Sequence, residues 1–217
     1  MDEELLQEET EESLERKMQE IMSCLESYNM ENEESDEECE VDPLTIKDIA
    51  ERFLYAAEKN HLDLVRSLLD ENPSLLHASD SDGYTALHRA SYNDHAEMAA
   101  ELIFRHASVR ARTNDGWEPL HSAARWNCPA TAKILLHNGA DVNAVTNNGL
   151  TALHLAASNR QAGDMILCLL SHPCIDVSLK SAAGETALII ARRSGPYSKY
   201  FDSVPETGDC FTRQPNI

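Results

Sequence analysis

Three histidines offer the first candidate chemistry. His88, His121 and His154 each close a six-residue segment: Gly83-Tyr84-Thr85-Ala86-Leu87-His88, Gly116-Trp117-Glu118-Pro119-Leu120-His121 and Gly149-Leu150-Thr151-Ala152-Leu153-His154. Three imidazoles would suffice for a zinc site, or one of them, with serine and aspartate, for a nucleophilic triad. Their spacing argues otherwise. The segments follow one another at 33 residues, so each histidine fills the same slot in a repeated unit, where it bonds across turns and knits units together. No G-x-S-x-G elbow, glycine-rich phosphate loop or H-E-x-x-H helix is present. Gly208-Asp209-Cys210 lies in an aperiodic tail and carries no chemistry alone. The six cysteines, Cys24, Cys39, Cys128, Cys168, Cys174 and Cys210, form no C-x-x-C pair and no zinc-finger spacing, and are expected as free thiols. The chain is read as non-enzymatic, with no metal and no cofactor.

The elements that carry these residues follow from the period. A fourth copy, Gly184-Glu185-Thr186-Ala187-Leu188-Ile189, comes 35 residues after the third, and a decayed first copy runs through Phe53-Leu54-Tyr55-Ala56-Ala57 to Leu69. Five units result, at about 46–81, 82–114, 115–147, 148–182 and 183–206. Each reads as turn, helix, turn, helix. The glycine permits the positive φ of a tight turn. Thr85 and Thr151 are N-caps, Glu118 is a weaker one, and Pro119 suits the first helical position. Ala90, Ala123-Ala124, Ala156-Ala157 and Ala191 let neighbouring first helices approach closely. The second helices are more apolar, as in Met98–Ile103 and Ala132–Leu136; Pro129 fits a helix start and Gly139 a left-handed cap. The fourth unit carries two extra residues, one near Gly163 and one in Ser171-His172-Pro173-Cys174. Gly195-Pro196 should cut the first helix of the last unit short, and both end units are expected to act as caps. No single unit buries its apolar face alone; stacking does so.

Charge divides the chain in two. Of the net −20, residues 1–42 carry −16, from 18 acidic and two basic side chains. Residues 1–45 are expected to form a mostly disordered acidic arm, with Leu14, Met18, Ile21, Met22 and Leu25 at helical spacing within 11–28. That stripe either folds onto a partner's groove, docks back on the repeats, or frays and only keeps the protein in solution. Ser35, ahead of Asp36-Glu37-Glu38, is a candidate phosphorylation site for an acidophilic kinase. The tail 207–217 is read as loose. Adjacent basic pairs are confined to Arg16-Lys17 and Arg192-Arg193, so nucleic acid and anionic membrane are poor partners. Apolar runs fall short of the roughly 20 residues of a membrane helix, and Met1-Asp2-Glu3-Glu4 is the reverse of a signal-peptide start. The expected location is nucleus or cytoplasm.

The T-x-L-H starts, the period of 33, the paired alanines and Asn138-Gly139-Ala140-Asp141-Val142-Asn143-Ala144 resemble ankyrin repeats over roughly residues 46–206. The resemblance implies an all-α fold, an L-shaped α-solenoid of helix-turn-helix units whose β-turn fingers flank a concave helical face, and it implies protein binding. It also implies a candidate modification: Leu135 with Asp141-Val142-Asn143-Ala144 is similar to the site at which an oxygen-dependent hydroxylase modifies asparagine, although Asn143 can equally serve its turn. In such units two sets of positions face the fingers and the concave side. The first is Tyr84, Trp117, Leu150 and Glu185; the second is Tyr92-Asn93, Arg125-Trp126, Ser158-Asn159 and Arg193-Ser194. Both tryptophans fall in these slots, and Trp, Tyr and Arg dominate interface hot spots.

The expected binding residues are therefore Tyr84, Tyr92, Trp117, Arg125, Trp126, Leu150 and Asn159, unless the tryptophans merely pack on neighbouring fingers. The function read from this pattern is an adaptor or regulatory module that binds another protein and is itself expected as a monomer. The alternative is a nuclear transcription regulator whose acidic arm acts as an activation segment.

Overall fold

The computed structural model describes residues 42–203. The acidic arm with its 11–28 stripe, Ser35 and the 207–217 tail lie outside them. Nine α-helices occur among the described residues, and no strand; the two β-contacts are isolated bridges, Ser79 to Thr85 and Lys180 to Thr186. The helices pair as units: α1 (Ile49–Glu58) with α2 (Leu62–Glu71), α3 (Ala86–Tyr92) with α4 (Ala96–Phe104), α5 (Pro119–Arg125) with α6 (Pro129–His137), and α7 (Ala152–Ser158) with α8 (Gly163–Leu170). The fifth unit has α9 (Ala187–Ser194) and a 3-10 segment, Pro196–Ser203, where a second helix would stand. First helices pack in one row, α1 on α3, α5, α7 and α9 in turn, and α4, α6 and α8 form a second row.

Local chemistry sets the helix starts. Thr85, Glu118 and Thr151 are N-caps of α3, α5 and α7, each in a reciprocal capping box with the histidine three residues on. Pro119 and Pro129 occupy first-turn positions. Seven residues make a marginal helix alone, so burial must hold these helices. Ala56, Ala90, Ala123, Ala124, Ala156 and Ala191 are buried where first helices meet, and Phe53, Leu87, Met98, Leu102, Leu120, Leu135, Leu153, Met165 and Leu169 fill the space between the rows. Each large side chain so buried contributes roughly 1.5–3 kcal/mol.

The turn glycines answer two demands. Gly83 has φ 86° and Gly149 φ 69°, in the region that L side chains resist. A Cβ on either would also come within 3.0 Å of the next finger's backbone, at Thr113 Cα or Ala182 N. Fingers are laced directly: Asn114 N donates to Asp82 O at 2.9 Å, Asn147 N to Asp115 O at 3.0 Å and Ala182 N to Asn148 O at 2.9 Å.

Unit four absorbs its insertions in turns. Three residues separate α3 from α4 and α5 from α6, but four separate α7 from α8. The short turns need positive φ at Asp94 (55°) and Asn127 (59°); the longer one does not. The expectation for the last unit is corrected. α9 is not cut short: its eight residues exceed the seven of α3, α5 and α7. Gly195 is extended and Pro196 opens the next segment, so the pair ends the helix one residue beyond where its siblings end and replaces the second helix with a 3-10 cap. Cys128 and Cys168 are free thiols. Cys174, half-buried on the unit-four turn, is disulfide-bonded, which corrects the reading of all six cysteines as free.

Candidate binding surface

The three histidines are structural. In each, Nδ1 accepts from the backbone N–H of the cap residue: Thr85 at 3.2 Å, Glu118 at 3.0 Å and Thr151 at 3.2 Å. That leaves the proton on Nε2, which donates at 3.0 Å to a carbonyl: Trp117 O and Glu185 O of the next unit, and Ala144 O near the end of His121's own unit. Burial pushes His88 and His121 down to about 4, and lowers His154. A neutral imidazole with both nitrogens engaged is no ligand or base. Among the described residues no group of His, Cys, Asp or Glu is arranged to hold a metal, and no helix is long and apolar enough to cross a membrane.

The seven expected binding residues divide into two places. Tyr84, Trp117 and Leu150 each follow a turn glycine and stand at the base of successive fingers, all half-buried. Tyr84 meets the His88 ring edge-on at 5.5 Å, and its N–H is held by Asp80 Oδ1 at 2.9 Å. Trp117 lies tilted over His121 at 6.4 Å, and both Trp117 and Leu150 pack against the core. These three are built into the stack.

Tyr92, Arg125, Trp126 and Asn159 lie instead at the C-terminal ends of the first helices. Tyr92 ends α3, and Trp126 is the C-cap of α5. Their rings meet edge-on at 4.7 Å, yet remain 44% and 53% exposed. The Arg125 guanidinium sits 5.9 Å from the Trp126 ring centroid.

The C-cap slot of Trp126 has a structural purpose elsewhere. Asn93 Nδ2 donates to Glu58 O and Asn159 Nδ2 to Arg125 O, both at 3.3 Å, so each asparagine ties its unit to the carbonyl one unit back. Trp126 interrupts that ladder. The carbonyl it would have reached, Tyr92 O, receives the Cys128 thiol at 3.3 Å; burial pushes this thiol up to about 11, so the S–H persists as the donor. The stack gives up an amide bond for a weak one where an indole faces solvent. The indole's own ring contacts are Tyr92 of the preceding unit and the Arg125 guanidinium.

Asn143 is fully engaged. Its Nδ2 donates to Cys174 O at 2.6 Å, and its Oδ1 accepts from Asp176 N at 2.9 Å. A hydroxylase would reach it only once this junction between the third and fourth units opened.

Two features escaped the sequence reading. Phe104, 81% exposed at the end of α4, borders a groove with Leu69, Pro73 and Leu76 on the second-helix side; a lone phenylalanine closing an otherwise periodic helix gives no sequence signal of exposure. Arg160, exposed in the turn after Asn159, stands one unit on from Arg125, and only the register of the first-helix ends would have revealed it.

Comparison with known proteins agrees with this architecture. Models of ankyrin repeats match residues 53–146 (three copies) and 135–191 (many copies). The chain is 57% identical over 164 residues to ankyrin repeat domain-containing protein 49 of Bos taurus, covering 76% of this chain and 69% of that one. It is 57% identical over 158 residues to the Homo sapiens protein of that name, covering 73% and 66%, and 48% identical over 181 residues to that of Drosophila melanogaster, covering 83% and 84%. The matched segment thus spans about two thirds of the mammalian relatives. Units repeating at 33 residues, a histidine ladder between them and these matches together place the chain in the ankyrin-repeat family, within the group of ankyrin repeat domain-containing protein 49.

Proposed function

We propose that this protein is a non-catalytic adaptor or regulatory module that holds a partner protein on the ends of its first helices, with Tyr92, Arg125 and Trp126 as the centre of contact and Asn159 beside them. Ankyrin-repeat proteins are in general protein-interaction modules. The observation that carries the specific reading is Trp126. It replaces a bridging asparagine, weakens the tie to the preceding unit, and leaves an indole half in solvent against Tyr92. Exposed aromatic and arginine side chains on a rigid frame lose little freedom on binding and are the residue types of hot spots. Tyr84, Trp117 and Leu150 contribute by fixing the fingers.

The test uses the ladder itself. Trp126→Asn supplies the amide that Asn93 and Asn159 supply, so its melting temperature should stay within a few degrees of wild type. Partner recovered from nuclear and cytoplasmic extracts should fall by about tenfold or more, the loss of a hot-spot residue being about 2 kcal/mol. Trp117→Ala should instead lower the melting temperature. A partner retained in full by folded Trp126→Asn would remove Trp126 from the interface.

A further inference from the structure

Buried polar atoms without partners are concentrated in one unit. Among the described residues six buried side-chain atoms have no hydrogen-bond partner: His61 Nε2, Arg89 Nε, Glu118 Oε2, Ser122 Oγ, Asn127 Oδ1 and Thr131 Oγ1. Four of the six belong to the third unit, and the described residues of the fourth and fifth units hold none. The two outside it belong to half-buried side chains, and Arg89 is ion-paired through its other nitrogens to Glu58 and Asp80. In the third unit Glu118, Ser122 and Thr131 are 6%, 1% and 0% exposed, so bulk solvent does not serve them.

The other units fill the same slots differently. Thr131 stands where they have Val65, Met98 and Met165, all fully buried and apolar. Ser122 stands where they have Leu155 and Ile190, both buried, and the ion-paired Arg89. Glu118 stands where they have Thr85 and Thr151, whose hydroxyls meet a histidine Nδ1 at 2.9 and 2.8 Å. Glu118 instead leaves one carboxylate oxygen bare, and its ion pair with Arg112 is long, at 4.0 Å. Toward the second unit, the Cys128 thiol replaces an amide of the asparagine ladder. A donor or acceptor buried without a partner favours the state in which water reaches it. A unit with folded neighbours on both sides should be among the best held in a linear stack. Here that unit carries the unsatisfied groups, and it also carries both tryptophans.

We propose that the third unit is a conformational switch: it opens while the second and fourth units stay folded, and the Tyr92–Trp126 face exists only while it is closed. The second half rests on the reading that this face is the binding surface. Geometry couples the two halves. Tyr92 ends α3 in the second unit and Trp126 caps α5 in the third, so their edge-on contact at 4.7 Å spans the junction that opens. Opening also releases Trp117 O from His88, Arg125 O from Asn159 and Asn143 from Cys174 O. These ties oppose it, and the unsatisfied groups favour it. A partner seated on both rings bridges the junction and holds the unit shut, because a ligand draws the equilibrium toward the state it binds. Recognition then depends on the state of the third unit as well as on the side chains it presents.

Trp117 and Trp126 are the two tryptophans of the chain, so tryptophan emission of the full chain reports on this unit. In a urea titration it should change at lower denaturant than far-UV circular dichroism, which follows every helix. Amide hydrogen exchange gives the place. α5 and α6 should exchange about tenfold or more faster than α3, α4 and α7, since one unsatisfied group shifts a local opening equilibrium by roughly that factor. Ser122→Ala/Thr131→Val removes two such groups without adding bulk, and valine already fills the second slot at Val65. The double variant should slow exchange in α5 and α6 by about tenfold or more, leave α3 and α4 nearly unchanged, and bring the two urea transitions together. Coincident transitions in the wild type, equal protection from α3 through α7, or a double variant less stable than the wild type would each overturn the switch; the last would mean that the hydroxyls have partners. If the transitions coincide while capture of a cellular partner still depends on Trp126, the switch falls and the surface stands. If the unit opens as described and capture is indifferent to Trp126, the surface falls and, with it, the coupling of opening to recognition.

Discussion

At the scale of the residue, the ladder histidines tie folding to pH. Burial holds His88 and His121 near 4 in the native stack, whereas an unfolded histidine titrates near 6.5. The unfolded chain therefore binds more protons between those values, and stability falls as pH drops through 6.5 toward 4. The two together should cost about 2–3 kcal/mol between pH 7 and pH 5.5. Urea melts at the two values measure it, and His121→Gln should remove roughly half of the difference; a flat profile in the wild type would refute the burial argument. The period of 33 made this slot legible in the sequence, because a residue recurring with the unit must serve the unit. The difference between the two tryptophans was not legible. Both occupy variable slots of one unit, yet Trp117 is covered by its own His121 and the core while Trp126 meets Tyr92 and the Arg125 guanidinium and stays half in solvent. Coverage depends on what the adjacent units place opposite, and a single unit's sequence does not contain that.

At the scale of the element, helix ends decide how well each unit is made. Gly139 follows the C-cap of α6 with φ 86°, and His106 occupies the same position after α4 with φ 72°. A side chain there is strained, and glycine relieves it at some cost in unfolded-chain entropy. His106→Gly should raise stability by about 0.5–1 kcal/mol in urea melts with an unchanged slope, while His106→Ala should not; a loss on introducing glycine would mean that the imidazole makes a contact of its own. The sequence located Gly139 as a cap because glycine announces left-handed backbone, and it was silent on His106 because histidine does not. Gly195-Pro196 misled for a related reason. The pair does stop a helix, but where it stops was set by the common length of the first helices, and α9 runs its full course before reaching it.

At the scale of the whole described stack, contacts run only between neighbours, and the last unit depends on an unusual cap. Tyr197 of the 3-10 segment lies against Gly163 of α8, so closely that a Cβ there would come within 2.9 Å of Tyr197 Cε1. Phe201 is buried beside it, and Tyr197 stacks on Tyr200 at 5.6 Å. This segment covers the apolar side of the fourth and fifth units in place of a second helix. In a linear stack, stability is a sum of unit and neighbour terms, so loosening one end need not loosen the other. Phe201→Ala removes a buried ring worth roughly 3–5 kcal/mol, more than a terminal unit is expected to hold by itself. Amide hydrogen exchange should then accelerate in α8 and α9 first, less in α7, and hardly at all in α1 through α3. Asn159 lies toward the loosened end and Tyr92 at the retained one. The same variant should therefore loosen Asn159 before it disturbs the Tyr92–Trp126 contact. If exchange rose equally in α1 and α9, the stack would be unfolding as one body, and the two halves of that surface could not be separated in this way.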